Sequence, residues 1–209
     1  MTAERSEAER AESDRRRLWQ LAGLGLVAVV VIGIWIFSVT SGAGNPRPTG
    51  GSPDVYPKAV IPPASDTSLT HAAAQAKCSL RTFPSYGKAT GDGRVTYRTN
   101  PPTSGASSSH AAADGIYDDP VSTTQVTRAL ENGRVIVQFA PEVSEHLRGQ
   151  LKTLVNEDPR HTILTANQTD MPFAIAASAW RHYVGCNTAG PAAFDALRDF
   201  RSAYRDRAG

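Results

Sequence analysis

RVIVQF, residues 134–139, decides how the folded part of this chain is read. Val135, Val137 and Phe139 alternate with Ile136 and Gln138, the period of a β-strand that packs one side against a core. Upstream, Ser122 with Gln125 three residues later resembles a capping box. Val126, Ala129 and Leu130 then share a helix face, and Asn132-Gly133 stops the helix. Downstream, a helix over 142–156 carries Val143, Leu147, Leu151 and Leu154 as its apolar stripe. Strands are expected at about 162–165 and 173–180, and a last helix starts at Pro191, a favoured first helical position. Phe194, Leu197 and Tyr204 form its buried stripe, with Asp195, Arg198, Asp199, Arg201 and Arg205 facing water.

Further upstream, Asp66 is the expected N-cap of a helix running to Lys77 through the alanine-rich AAAQAK. RVTYRT, residues 94–99, alternates as a strand and stops at Asn100-Pro101-Pro102, because consecutive prolines remove two ladder donors. The loop that follows, to Pro120, has too few apolar groups to pack on its own account. With helix 122–132 it is the most exposed candidate binding surface, since loops of this length are often functional or mobile. Residues 66–209 thus read as an α+β domain, a small mixed sheet flanked by helices, preceded by one transmembrane helix.

That helix is LWQLAGLGLVAVVVIGIWIFSV, residues 18–39, a run of 22 residues without a charge. It reaches roughly 33 Å, enough for a hydrocarbon core of about 30 Å. A buried core helix would carry a polar face, and here only Gln20 is strongly polar. Arg5, Arg10, Arg15, Arg16 and Arg17 precede it, whereas Arg47 is the only basic residue in the segment 38–54. The positive-inside rule therefore puts residues 1–17 in the cytoplasm as a charged tail and exports the rest. Ser41, Gly42 and Ala43 would suit a signal peptidase, but the apolar run is longer than a cleaved signal's, so an uncleaved single-pass anchor is expected. Residues 40–65, rich in Gly, Pro, Ser and Thr, read as a spacer lifting the domain off the bilayer.

A net charge of +2 argues for neither nucleic acid nor strongly acidic partners, and no basic stretch interleaved with aromatics is present. The expected partners are the lipid bilayer and another envelope or membrane protein. The two cysteines, Cys78 and Cys186, fall on the exported side, where a disulfide is the default expectation.

At YRTNPPTSG, residues 97–105, ALENGRVIVQF, 129–139, EDPRHTILTAN, 157–167, and AWRHYVGC, 179–186, the chain resembles a bacterial family catalogued as domain of unknown function 3105. The resemblance covers nearly all of residues 72–206, and that to the actinobacterial branch also implies that Cys78 pairs with Cys186. It implies no established activity. Family members continue PPTSG with Pro-His and read His-x-Leu-Glu-His-Gly where this chain has Arg128 to Gly133. Three such histidines would suit copper or zinc. In this chain those places are Ser107, Arg128 and Asn132, and Arg128 puts a fixed positive charge where a cation would sit.

The alternative to a cofactor-free protein is therefore a copper or zinc handler with a degenerate site. His110, three residues after Ser107, would be its ligand, with Asp114, Asp118, Asp119 or Glu131 adding oxygens. The blander reading makes His110 a solvated loop residue and Glu131 a local cap or ion-pair partner. His71, His146 and His161 read as surface or helix-end residues, and His182 as packing near Trp180 and the disulfide. Nucleophile-elbow, phosphate-loop, dinucleotide, HExxH and CxxC motifs are all lacking, which argues against an enzyme. Ser104 with Gly105 has no good base nearby. PPTSG reads better as a rigid turn, with Thr103 and Ser104 bonding local backbone and Gly105 taking unusual dihedrals. The candidate binding surface is Pro101, Pro102, Thr103, Ser104, Gly105, His110, Arg128, Glu131 and Asn132. The function expected is a non-catalytic binding or accessory role in the cell envelope.

Overall fold

A computed structural model describes residues 56–65, 67–90 and 95–209. The expected tail 1–17, span 18–39, spacer residues 40–55, Asp66 and Arg94 lie outside the described residues. Among the described residues no helix is long and apolar enough to cross a membrane.

Among the described residues, six strands and four helices make a mixed α/β domain. The strands are β1 (Ser79–Thr82), β2 (Gly115–Ile116), β3 (Val135–Phe139), β4 (Thr162–Ala166), β5 (Ile175–Ala179) and β6 (His182–Cys186). They lie in one sheet in the order β1-β6-β5-β3-β4-β2. β3 runs parallel to β4 and β4 to β2, while the pairs β3–β5, β5–β6 and β6–β1 are antiparallel. RVIVQF is thus a central strand, and all five residues of β3 are buried rather than one side of it.

The helices are α1 (Leu69–Gln75), α2 (Thr123–Glu131), α3 (Glu145–Glu157) and α4 (Pro191–Tyr204). Three have a serine N-cap whose hydroxyl accepts a first-turn N–H: Ser68 from His71, Ser122 from Gln125 and Ser144 from Leu147. Ser122 is the cap expected, and its hydroxyl also donates to the Gln125 side chain. Ser68 caps α1, so the described helix begins three residues after the expected start. Ser144 moves α3 downstream of Glu142, and Pro191 opens α4 as expected.

One face of the sheet is sealed with hydrocarbon. Val137, Ala177 and Val184 meet Leu151 and Leu154 of α3 and Phe194, Leu197 and Phe200 of α4. Phe200, outside the expected stripe, is completely buried. Asp195 and Arg201, expected to face water, are 5% and 7% exposed. Each is satisfied: Arg201 donates to Leu154 O at 2.8 Å, and Asp195 pairs with Arg198 and accepts from Ser65 N.

Two further expectations are corrected, and three strands were not expected. Residues 95–99 form no strand; the chain bends at 98–100 because Thr99 turns back to bond Thr103. The expected strand 173–180 is present as β5, which reverses at Trp180-Arg181, with Arg181 at φ 69°, into β6, a strand that was not expected. β1 and the two-residue β2 were not expected. Finally, residues 56–65, read as spacer, form a strap along α3 and α4. Tyr56 is buried, its hydroxyl bonding Tyr117 O. Lys152, Thr153 and Gln150 bond the carbonyls of Tyr56, Ala59 and Val60, and Arg198 bonds that of Pro62. A side chain at Gly149 would run into Pro57 O, so glycine is what lets the strap lie down.

Cys78 and Cys186 form the disulfide. It links the start of β1 to the end of β6 and closes a loop of 108 residues, worth about 4–5 kcal/mol in the chain-entropy model.

Candidate functional site

The first part of the loop, residues 101–108, is packed into the other face of the sheet, whereas Ser109, His110, Ala113 and residues 118–120 are exposed. Pro101, Pro102, Thr103, Ser104, Gly105, Ser107 and Ser108 are all buried. The Asn100–Pro101 peptide is cis. The Thr103 N–H donates to Thr99 Oγ1 at 3.0 Å, and the two hydroxyls are also 3.0 Å apart. The Ser104 hydroxyl accepts the N–H of Tyr86, and Thr103 O accepts that of Arg181. The rigid turn is therefore present, but the Ser104 hydroxyl serves a distant strand of chain instead of local backbone. Gly105 has φ 132°, with the Tyr97 ring 3.3 Å from where a Cβ would stand. Both facts exclude a larger residue.

Beneath this loop lies a hydrogen-bonded layer. Asn167 donates to Gln138 Oε1 at 2.7 Å and accepts the N–H groups of Thr169 and Met171. Thr169 and Asn100 bond reciprocally, which moors the start of the loop, and Thr165 Oγ1 accepts from Val121 N.

Ser107 and Arg128 converge on one carboxylate, that of Glu131. Its Oε1 accepts from the Ser107 hydroxyl at 3.0 Å and its Oε2 from the Arg128 guanidinium. Arg128 also donates to Ser108 O at 2.6 Å and to Thr90 Oγ1 at 3.1 Å. Arg128 and Glu131, three apart, share a helix face, while Ser107 arrives from the loop. The Glu131 side chain is only 5% exposed, so this ion pair is largely shielded from solvent. Beside it the Tyr97 hydroxyl donates to Ala106 O at 2.7 Å. Burial pushes the Tyr97 phenol above its ordinary range; a hydrogen bond from Thr127 opposes this, and the Glu131 charge adds to it.

Asn132, by contrast, is an exposed C-cap. His110 is exposed, its ring 2.8 Å from Ser109 Oγ. Asp114 is engaged by Arg134 and by the His161 N–H. Among the described residues no group of three His, Cys, Asp or Glu side chains stands close enough to hold a metal ion. His182 stacks on Tyr204, not Trp180, at 4.2 Å and bonds Thr82, a structural setting. Sequence reasoning missed Tyr86, Tyr97 and Arg181, which fix the loop in place. Tyr97 and Arg181 lie inside the YRTNPPTSG and AWRHYVGC blocks, which was their only signal, and Tyr86 had none. Elsewhere, an open depression of about 350 Å³ lies between α1 and β1, lined by Thr70, Ala73, Ala74 and residues 78–81.

The model of the family described as "Protein of unknown function (DUF3105)" matches residues 88–208, more than half of the chain. No curated protein and no solved structure matches it.

Proposed function

We propose, starting from the fact that the chain belongs to the DUF3105 family, that it is a non-catalytic binding or accessory domain of the cell envelope. It is held at the membrane by residues 18–39, with the amino terminus in the cytoplasm and the disulfide-linked domain outside. The observation that carries the non-catalytic reading is the state of Glu131. Both of its oxygens are engaged, by Ser107 and Arg128, so the most reactive constellation of the site is occupied with holding the loop onto α2. A guanidinium beside Glu131 also repels the cation that a copper or zinc handler would need there. The Cys78–Cys186 bridge supports an oxidising, exported location, as does the crowd of arginines before the apolar run.

A titration of the full chain in detergent with Cu(II) and Zn(II) tests this, beside the variant Ser107→His/Arg128→His/Asn132→His. The natural chain is expected to bind neither ion at micromolar concentration. Tight binding by the natural chain would overturn the reading and make His110 the first residue to replace. The address is checked separately: protease added to intact cells should digest the domain and spare residues 1–17.

A further inference from the structure

We propose that the Cys78–Cys186 disulfide is a thiol-exchange site, entered at Cys78 from the depression between α1 and β1 by a protein dithiol of the CxxC type. The inference concerns the bridge and goes beyond the binding role proposed above.

The two sulfur-bearing residues are unequally placed. Cys186, at the end of β6, is completely buried, with 0% exposure. Cys78 is only partly buried and lines the open depression of about 350 Å³, together with Thr70, Ala73, Ala74, Ser79, Leu80 and Arg81. Exchange requires the attacking sulfur to reach one sulfur of the bridge, so access selects Cys78.

The walls of the depression suit such an attacker. The nucleophile is a thiolate, an anion, and Arg81 is the one charged group among the described lining residues. On the α1 side Thr70 and Ala74, one turn apart, are exposed. On the other side lies an edge of the sheet, because β1 pairs with β6 and with no second strand. The Phe83 N–H donates to Arg181 O at 2.8 Å. By antiparallel alternation Ser79 and Arg81, opposite Gly185 and Tyr183, then turn their backbone groups to β6, and Leu80 and Thr82 turn theirs outward. These outward groups have no backbone partner among the described residues. An extended segment of a partner protein can add to such an edge through main-chain bonds. Paired at Leu80, it holds its thiolate beside Cys78, two residues away, which a small thiol cannot do.

The exchange balances as follows. The partner's thiolate bonds to Cys78 Sγ as the Cys78–Cys186 bond breaks, and Cys186 leaves as a thiolate that takes up a proton. The partner's second thiolate then attacks its own first sulfur and releases Cys78, which is protonated in turn. The bridge gains two electrons, the dithiol loses two, and the reverse sequence closes the bridge. Opening it removes the covalent tie between the start of β1 and the end of β6 and frees a loop of 108 residues.

The test incubates the full chain in detergent with a thioredoxin whose second active-site cysteine is serine, which halts exchange at the mixed disulfide. Peptide mass spectrometry locates the crosslink, expected at Cys78. Ala74→Trp fills the depression from the exposed side of α1, and Leu80→Pro removes one outward N–H but no bond to β6. Each should lower the trapping rate about tenfold, because exchange follows access. Gln168→Trp, at an exposed position after β4, should leave it unchanged. Dithiothreitol, which pairs with no strand, should reduce Leu80→Pro at the wild-type rate. The proposal would be overturned by a crosslink chiefly at Cys186 or by wild-type trapping in both Ala74→Trp and Leu80→Pro. Equal slowing of thioredoxin and dithiothreitol in Leu80→Pro, or a folded bridge that thioredoxin does not open, would overturn it as well.

Discussion

On one side of the sheet Val137, Ala177 and Val184 meet α3 and α4 through hydrocarbon; on the other, Gln138, Thr165 and Ser178 lie beneath loops and α2. The first side is held by non-directional burial, which depends on volume and little on angle. Part of the second is held by hydrogen bonds that must be met atom for atom, because a buried donor left alone costs its full desolvation. Ser178 illustrates the difference: it is fully buried and its hydroxyl has no partner among the described residues.

Phe200→Ala should break the hydrocarbon side most severely, costing about 3–5 kcal/mol through lost transfer energy and a cavity. Chemical denaturation measures this, and a loss below 1 kcal/mol would mean α4 is not the main seal. On the polar side Asn167→Ala should cost about 1–3 kcal/mol, since it strands the N–H groups of Thr169 and Met171. The same change should increase hydrogen exchange at those amides, and unchanged protection would show that water substitutes. Glu131→Gln should cost about 1–2 kcal/mol by weakening the bonds to Ser107 and Arg128. Asn132→Ala, at an exposed position, should stay within about 0.5 kcal/mol.

A gentler probe is pH. Burial, then Arg181 and Arg207, hold the His182 imidazole below its ordinary value of 6.5. The unfolded chain therefore takes up this proton first as pH falls. Stability should decline from about pH 6.5 down to the folded-state value, and His182→Gln should flatten that part of the profile. An identical profile in the variant would remove His182 from the account. Smallest of all, Ser178→Ala should leave stability within about 0.5 kcal/mol or raise it, because no bond is lost.

The same division explains what could be read from the sequence. Ser122 with Gln125, the alternation of residues 135–139, the stripe Leu147, Leu151, Leu154 and the proline at 191 all report local geometry, and each led to a real element. Arg201 misled because periodicity assigns charge to water, whereas its guanidinium finds Leu154 O forty-seven residues away. The hairpin turn was invisible because Arg181, not glycine, takes the positive φ. Residues 95–99 alternate like a strand, but Thr99 and Tyr97 are committed to Thr103 and Ala106. At the candidate site, Arg128 and Glu131 could be placed on one helix face from their spacing. Ser107 could be joined to them only through the fold.

The bridge also sets a load path. A pull applied from the amino-terminal side first meets the strap, whose hydrogen bonds to Lys152, Thr153 and Arg198 can be peeled one by one. It next meets α1, which is held by packing on α4. Beyond that the tension passes through Cys78 straight into Cys186 on β6, and β1 lies downstream of the bolt. The edge strand β1 is thereby isolated from tension, so it keeps its pairing with β6 while the segment before it stretches.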